Sequence, residues 1–257
     1  MSNNPVLVTR EGSVLRIRLN RAEKKHALTH AMYEQLHQAL TAAEQDPTVR
    51  AIHLSGVDST FTAGNDLQDF QENPPAGLDA PVFHFLSALR NAQKPIVASV
   101  SGVAVGIGTT MLLHCDLVYA DATARFRLPF ANLGLCPEGG STLLLPLLAG
   151  YQKAAELLLL GEVFDAATAE RIGLVTGVLP VEELEAASLR RAQALAAQPA
   201  ASLRLTKALL KQGSLTALAA VMENEGREFI ARLGSPEARE AMAAMREKRL
   251  PDFSRFD

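Results

Sequence analysis

Cysteine is scarce in this sequence of 257 residues, which contains only Cys115 and Cys136. Neither belongs to a CxxC spacing or to a cysteine–histidine cluster, so we expect no metal site. Two isolated cysteines are typical of packed thiols in a reducing compartment. Cys136 lies two residues before Glu138 and could be imagined as a nucleophile, but without a base assigned to it we interpret both thiols as structural.

Long runs of one charge or of apolar residues are also missing. The net charge is −3, and basic residues cluster only in pairs such as Lys24–Lys25 and Arg190–Arg191. This balance argues against nucleic acid or an acidic membrane surface as a partner. No stretch reaches the roughly 18 apolar residues of a membrane span, and the first residues, MSNNPVLVTREG, do not have the pattern of a secretory signal. We therefore expect a cytoplasmic protein.

The sequence does contain enough hydrophobic residues, 48%, for a large globular core. Alternation of apolar and polar residues predicts a hairpin over 6–19, and prolines predict a mobile loop over 71–81. Buried strands and helices are predicted to alternate after the hairpin, at 29–45, 51–55, 82–91, 96–100, 106–114 and 117–120. The chain beyond Thr142 is predicted to be mostly helical. This order predicts an α/β core with a helical tail.

A lone glutamate, Glu138, stands in the apolar stretch 126–142, FRLPFANLGLCPEGGST. The glycines and hydroxyl residues after it predict a capped helix start, with a helix over 141–150. The positive end of that helix would favour the ionised carboxylate, whereas apolar surroundings would favour the protonated form. No pKa follows from the sequence alone, and Glu138 is either a general base or a capping or solvated loop carboxylate.

Two glycine turns, 63–67 (AGNDL) and 106–108 (GIG), each follow a predicted strand. Glycine turns let backbone N–H groups approach a ligand, and two such donors could stabilise a carbonyl oxygen that gains negative charge. The second turn does not complete a GxGxxG motif, because Met111 replaces the third glycine, so we do not expect a nicotinamide site. Spacing alone does not show whether the two turns meet.

Four segments together resemble the crotonase superfamily of acyl-CoA enzymes over nearly the whole chain: RAEKKHAL, FTAGNDLQDF, KPIVASVSGVAVGIGTTMLLHCDLVYA and FANLGLCPEGGST. The resemblance implies an α/β fold with a spiral core of ββα turns and the active site over 1–198. It also implies a helical trimerisation region over 199–257 and assembly as a homotrimer or a dimer of trimers. The thioester oxygen would bind between the backbone N–H groups of Ala63 and Ile107.

Within this superfamily, GNDLxxF and LGxxPEGGS are most similar to the Δ3,Δ2-enoyl-CoA isomerase branch. The hydratase members carry two glutamates, whose positions are occupied here by Thr110 and Phe130. Glu138 stands where the isomerase branch carries its single base. The resemblance therefore implies an isomerase that shifts a 3-enoyl-CoA double bond to the 2-position. Alternatives are enoyl-CoA hydration, another crotonase activity, or a non-catalytic acyl-CoA-binding protein.

Contacts to substrate and coenzyme A fall, by family position, on Lys25, Ala27, Ala63, Gly64, Asn65, Asp66, Leu67, Gly106, Phe130 and Lys248. Coenzyme A is part of the substrate, so no cofactor is expected. His26 stands where the family commonly has asparagine, and it either supports the turn or contacts adenine. We interpret the late methionines Met222, Met242 and Met245 as core or interface packing. The acidic residues Glu223 and Glu225 are interpreted as a solvated helix face.

Overall fold

The computed structural model describes residues 4–256. Nine strands run over Val6–Glu11 (β1), Val14–Leu19 (β2), Ala51–Gly56 (β3), Ile96–Val100 (β4), Val103–Val105 (β5), Leu117–Asp121 (β6), Arg125–Arg127 (β7), Phe164–Asp165 (β8) and Gly177–Leu179 (β9). Eleven α-helices run over His30–Gln45 (α1), Leu67–Glu72 (α2), Pro81–Asn91 (α3), Ile107–Thr110 (α4), Ser141–Ala149 (α5), Tyr151–Ala155 (α6), Ala166–Arg171 (α7), Val181–Ala197 (α8), Ala200–Gln212 (α9), Leu215–Leu233 (α10) and Pro236–Arg246 (α11).

Six strands form one sheet in the order β1-β2-β3-β4-β6-β9. The predicted hairpin pairs β1 with β2 antiparallel, and every later pairing in this sheet is parallel. A second sheet has the order β5-β7-β8. The expected α/β architecture is confirmed, while β5, β7, β8 and β9 were not predicted. These strands are two or three residues long, which is too short for alternation to show.

The large sheet is covered on both faces because its strands alternate their side chains between the two sides. Leu15, Ile17 and Leu19 of β2 join the main core. Val14 of the same strand joins a second cluster on the opposite face, where Leu184, Ala192 and Ala196 of α8 pack. The 63–67 glycine turn comes after β3 of this sheet, whereas the 106–108 turn directly follows β5 of the second sheet.

The helix signals in the sequence are largely confirmed. The Thr29 hydroxyl accepts a hydrogen bond from the Met32 N–H and caps α1, and Pro81 occupies the first turn of α3. The predicted loop over 71–81 is shorter than expected, because Asp66 caps α2 and this helix continues to Glu72. No helix within residues 4–256 is long and apolar enough to cross a membrane.

Candidate active site

The two glycine turns lie side by side because a short parallel bridge joins the residues that precede them. Thr62 pairs with Ala104: the Thr62 N–H donates to the Val103 carbonyl at 2.8 Å, and the Val105 N–H donates to the Thr62 carbonyl at 3.1 Å. Asn65 and Ile107 each lie three residues beyond the bridged pair. The tertiary structure therefore brings together two turns that are about 40 residues apart in the sequence.

Glycine is required in both turns by close backbone approach. Gly64 has φ +87°, and a Cβ atom at this position would lie 2.5 Å from the Val105 carbonyl oxygen. A Cβ atom on Gly108 would lie 2.6 Å from Cγ2 of Thr62. A larger residue at either position would push the turns apart, because neither contact leaves free space. At Gly64 the positive φ also disfavours any L-residue.

One of the two predicted backbone donors, the Ala63 N–H, is already used within the protein. The Ala63 N–H already donates to the Lys25 carbonyl at 2.9 Å, and the Gly64 N–H donates to the Thr62 hydroxyl at 3.1 Å. Across the part of the chain that the structure describes, the Asn65 N–H has no acceptor. The expectation that Ala63 is an oxyanion donor is therefore wrong, because motif position does not show which N–H groups the neighbouring loop consumes.

Asn65 and Ile107 supply the free donor pair. Ile107 is the first residue of α4, where an N–H group has no partner within the helix. The Asn65 side chain is held from behind, because the buried Tyr33 hydroxyl donates a hydrogen bond to its Oδ1. Burial, followed by the charges of Glu138 and Asp69, raises the pKa of Tyr33 well above its usual value, so this hydroxyl keeps its proton as the donor.

A largely apolar cavity of about 540 Å³ opens beside these donors. Its wall contains seven of the residues predicted for the site: Ala63, Gly64, Asn65, Leu67, Gly106, Ile107 and Phe130. Two arginines, Arg127 and Arg249, also line it. The cavity has the size and polarity of a small-molecule site and can hold a predominantly apolar chain next to two backbone N–H groups.

Late residues close the cavity, and sequence reasoning missed them. Phe229 of α10, Met242 and Met245 of α11, and Leu250 and Phe253 beyond it line the wall. The interpretation of Met242 and Met245 as mere packing is wrong, whereas Met222 is half-buried against the core as expected. The apolar stripe of α11 is the signal that could have found them. Part of the region 199–257 thus covers the site of its own chain.

Glu138 is not part of the wall of this cavity. It is 4% exposed. Its Oε1 accepts a hydrogen bond from the Thr110 hydroxyl at 2.5 Å, and its Oε2 is buried without a hydrogen-bond partner among the described residues. Thr110 is one turn along α4 from Ile107. The side chain predicted as the base is therefore hydrogen-bonded to α4, the helix whose first residue is one of the free donors.

Burial sets the protonation of Glu138. Loss of hydration raises the pKa of this carboxyl to about 8; the hydrogen bond from Thr110 opposes the shift, and the charge of Glu225 adds to it. Burial is thus the largest influence on the pKa of this carboxyl, and the net shift favours the protonated form. A carboxyl with this pKa can both accept and return a proton near neutral pH.

The start of α5 differs from the expected self-capped helix. Gly140 is its N-cap and has no capping side chain, and the Ser141 hydroxyl donates back to the Glu138 carbonyl at 2.7 Å. The cap comes from α10, where the Glu225 carboxylate accepts the Gly140 N–H. The interpretation of Glu225 as a solvated residue is therefore wrong, because it is 5% exposed, whereas Glu223 is exposed as expected.

His26 has a structural position in the first predicted binding loop. It is fully buried. Its Nδ1 accepts the Arg21 N–H at 2.8 Å, and its Nε2 lies 2.9 Å from the Val57 carbonyl, to which it donates. Both ring nitrogens are thus used in holding the turn, which supports the first of the two expectations and contradicts a contact with adenine.

The other predicted binding residues lie outside the cavity wall. The Asp66 carboxylate is used by its ion pair with Arg21, at 2.5 Å, and by the cap of α2. The Ala27 carbonyl accepts a hydrogen bond from the same guanidinium at 2.9 Å. Lys25 and Lys248 are exposed. Contact of these four residues with substrate stays a prediction.

The two cysteines are free and half-buried. Burial raises the pKa of the Cys115 thiol to about 12 and that of the Cys136 thiol to about 11. Thiols with such pKa values stay protonated near neutral pH and are poor nucleophiles. This supports the structural interpretation. Within residues 4–256, no group of three or more histidine, cysteine or acidic side chains is arranged to hold a metal ion.

Comparison with known proteins identifies similar sequences over nearly the whole chain. The family model described as enoyl-CoA hydratase/isomerase matches residues 9–255. Enoyl-CoA delta isomerase 2 of Rattus norvegicus is 38% identical over 226 residues, which are 86% of this chain and 58% of that protein. The chain thus spans little more than half the length of this relative.

Two further similar proteins match end to end. The 1,2-epoxyphenylacetyl-CoA isomerase of Escherichia coli K12 is 34% identical over 252 residues, covering 95% of this chain and 96% of that one. A crystal structure of an enoyl-CoA hydratase/isomerase from Pseudoalteromonas atlantica T6c superposes with a TM-score of 0.93 at 41% identity, covering 97% of this chain and 100% of that one. This likeness confirms the crotonase fold.

Proposed function

The chain belongs to the enoyl-CoA hydratase/isomerase family, and from this premise we propose that it is an acyl-CoA isomerase. It moves the double bond of a 3-enoyl-CoA to the 2-position. The observation that carries the proposal is Glu138, a buried carboxyl with one unpaired oxygen, which is hydrogen-bonded through Thr110 to the short helix whose first residue, Ile107, lines the apolar cavity.

One carboxyl is sufficient for this reaction. Ionised Glu138 removes a proton from C2 of the 3-enoyl thioester, and the electron pair moves through the carbonyl to give a dienolate. The N–H groups of Asn65 and Ile107 stabilise the negative oxygen, with each well-placed donor contributing about 2.7–4 kcal/mol in the transition state. The protonated Glu138 then returns the proton to C4, which leaves the double bond between C2 and C3. The step consumes no water and requires no cofactor.

Substrate binding must extend the cavity along α4 to reach Glu138. The wall next to Ile107 is formed by apolar side chains, Phe130 and Leu135 among them, rather than by backbone alone. Catalytic contacts in unliganded enzymes commonly tighten only when substrate binds. A dry channel also suits the reaction, since Phe130 offers no group to activate a water molecule against the dienolate.

Exposed leucines support the further proposal of a homotrimer or a dimer of trimers. Leu205, Leu209 and Leu210 of α9 are 61%, 59% and 82% exposed. Large apolar side chains grouped on one helix are typical of surfaces that contact another protein. The trimer implied by the resemblance would bury them against a second copy of the chain.

The first test compares the products of two substrates. We expect purified protein to convert a 3-enoyl-CoA rapidly to the 2-enoyl-CoA, and to form little 3-hydroxyacyl-CoA from a 2-enoyl-CoA. The reason is that Thr110 and Phe130 provide no second carboxylate to activate water. Both products are separated by chromatography after fixed times. If hydration dominates, the protein is a hydratase and not an isomerase. If neither thioester is turned over, the result favours ring isomerisation or a binding role.

The second test follows the pH dependence of kcat/KM. The base is active when ionised, and burial places the pKa of Glu138 at about 8. We therefore expect kcat/KM for the 3-enoyl-CoA to rise as the pH rises, with a midpoint near that value, since kcat/KM reports the pKa of the free enzyme. Initial rates from about pH 6 to about pH 9 measure it. A flat or falling profile would remove a buried carboxyl base from the mechanism.

A further inference from the structure

Glu225 reaches from α10 to the start of α5, 85 residues away in the sequence. Its Oε2 accepts the Gly140 N–H at 2.6 Å. Its Oε1 accepts both the N–H and the hydroxyl of Thr142, at 2.9 and 2.5 Å. A buried carboxylate is thereby satisfied by three donors at a helix N-terminus, where negative charge is favoured. It replaces the capping side chain that Gly140 lacks.

The residues held by Glu225 immediately follow Glu138. Gly139 and Gly140 have φ values of +70° and +76° and join Glu138 to α5. On the other side of this turn, His114 donates from Nε2 to the Gly139 carbonyl at 2.7 Å. Helix α10 packs directly against the turn, because a Cβ atom on Gly140 would lie 2.3 Å from Cδ1 of Leu218. The peptide group between Gly139 and Gly140, next to Glu138, is thus held between two buried side chains.

We propose that Glu225 is a positioning residue for Glu138: it holds the 138–140 turn so that the unpaired Oε2 of Glu138 stays aimed away from the protein's own donors. This inference rests on the proposed role of Glu138. Glu225 is not part of the cavity wall, so it positions Glu138 by holding the turn. All three hydrogen bonds are accepted by a side chain of α10, so the orientation of the base depends on how α10 packs.

Glu225 also acts on Glu138 through its charge. Its negative charge adds to the burial that raises the pKa of Glu138. Three buried titratable groups near Glu138 are uncharged near neutral pH: burial lowers the pKa of His114 to about 4, raises that of Cys136 to about 11, and raises that of Tyr33. The charge that shifts the pKa of Glu138 is that of Glu225.

Substitution separates the two effects. In Glu225→Gln the amide nitrogen cannot accept the Gly140 N–H and the charge is lost. We expect kcat to fall about 10–100-fold with KM unchanged, since a small misplacement of a catalytic group costs about that much. The pH limb of kcat/KM should move to lower pH. Glu225→Asp keeps the charge but shortens the reach, so it should lower kcat and leave the limb in place.

Glu223→Gln is the matched control, because Glu223 lies on the same helix, is exposed and, within residues 4–256, pairs only with Arg227. It should keep the kcat and the pH profile of the wild type. A second readout does not depend on turnover: ¹³C NMR of labelled glutamate carboxyls, with Glu138 assigned by its absence in Glu138→Gln, should show Glu138 titrating at lower pH in Glu225→Gln. If neither the wild type nor any variant isomerises a 3-enoyl-CoA, this titration still tests whether Glu225 acts on Glu138.

Three results would overturn the inference. One is a kcat within about twofold of the wild type in both Glu225 variants. Another is a rise in KM in place of the fall in kcat. The third is an unmoved Glu138 titration in Glu225→Gln, which would leave a purely structural cap. If Glu225→Gln does not fold, the kcat of Glu225→Asp is the test. A kcat equal to that of the wild type in Glu225→Asp would also overturn the inference.

Discussion

Replacing Glu138 with glutamine is expected to abolish the isomerisation of a 3-enoyl-CoA. Glutamine keeps the shape of the side chain and can still accept the Thr110 hydroxyl, but it cannot take a proton from C2. General acid–base help of this kind contributes about 10²–10⁴-fold, so kcat should fall by at least that range. A coupled assay with wild type and variant measures it. A variant with the wild-type rate would exclude Glu138 from the reaction.

The same variant should fold, and its stability provides the control. The pKa of Glu138 is about 8 in the folded protein, against 4.5 for a free carboxyl. The folded state therefore holds the proton more tightly. This stabilisation is complete below about pH 4.5 and is lost as the pH rises through about 8. Glutamine suffers no such loss, so the variant should become more stable than the wild type as the pH rises.

The size of this stability gain can be measured by thermal unfolding. The raised pKa of Glu138 corresponds to a loss of about a few kcal/mol in the stability of the wild type once the pH is above 8. For a protein of this length, each kcal/mol changes Tm by about 2–4 °C. The Tm difference between Glu138→Gln and wild type should thus be small near pH 5 and reach several degrees near pH 9. A difference that does not change with pH would mean that Glu138 titrates normally.

Replacing Gly64 with alanine is expected to remove most of the activity by a different route. The new Cβ atom would meet the Val105 carbonyl oxygen at 2.5 Å, and backbone on both sides leaves no flexible group to give way. The turn must move, and the Asn65 N–H moves with it. Loss of one oxyanion donor typically lowers kcat about 10²–10³-fold. Steady-state kinetics with a 3-enoyl-CoA measure the loss.

Gly12→Ala is the matched control for that substitution. Gly12 also has a positive φ, +60°, but a Cβ atom there would have no neighbour within 4 Å. Both variants carry the backbone strain of an L-residue in the left-handed region, about 1–2 kcal/mol. Gly64→Ala alone carries the contact with Val105. We expect Gly12→Ala to keep the wild-type kcat. Equal activity in the two variants would show that the spacing of the turns does not matter for catalysis.

Features that depend on a local pattern could be predicted from the sequence alone. Alternation located the β1–β2 hairpin, and helical periodicity with a Thr29 cap located α1. The glycine turns were visible because only glycine tolerates their backbone conformation. Glu138 stood out because a carboxylate in an apolar stretch is costly unless it has a partner or a function. Each of these signals is carried by residues that are neighbours in the chain.

The tertiary structure was needed to show which of these groups contact one another and which backbone donors have no hydrogen-bond acceptor. Asn65 replaces Ala63 as a donor because the loop at Lys25 consumes the Ala63 N–H. Met242 and Phe253 close the cavity because the C-terminal residues fold back over it. Glu225 caps a helix 85 residues away. Hydrogen-bond partners and burial across such separations depend on how whole elements pack, and no local pattern in the sequence encodes them.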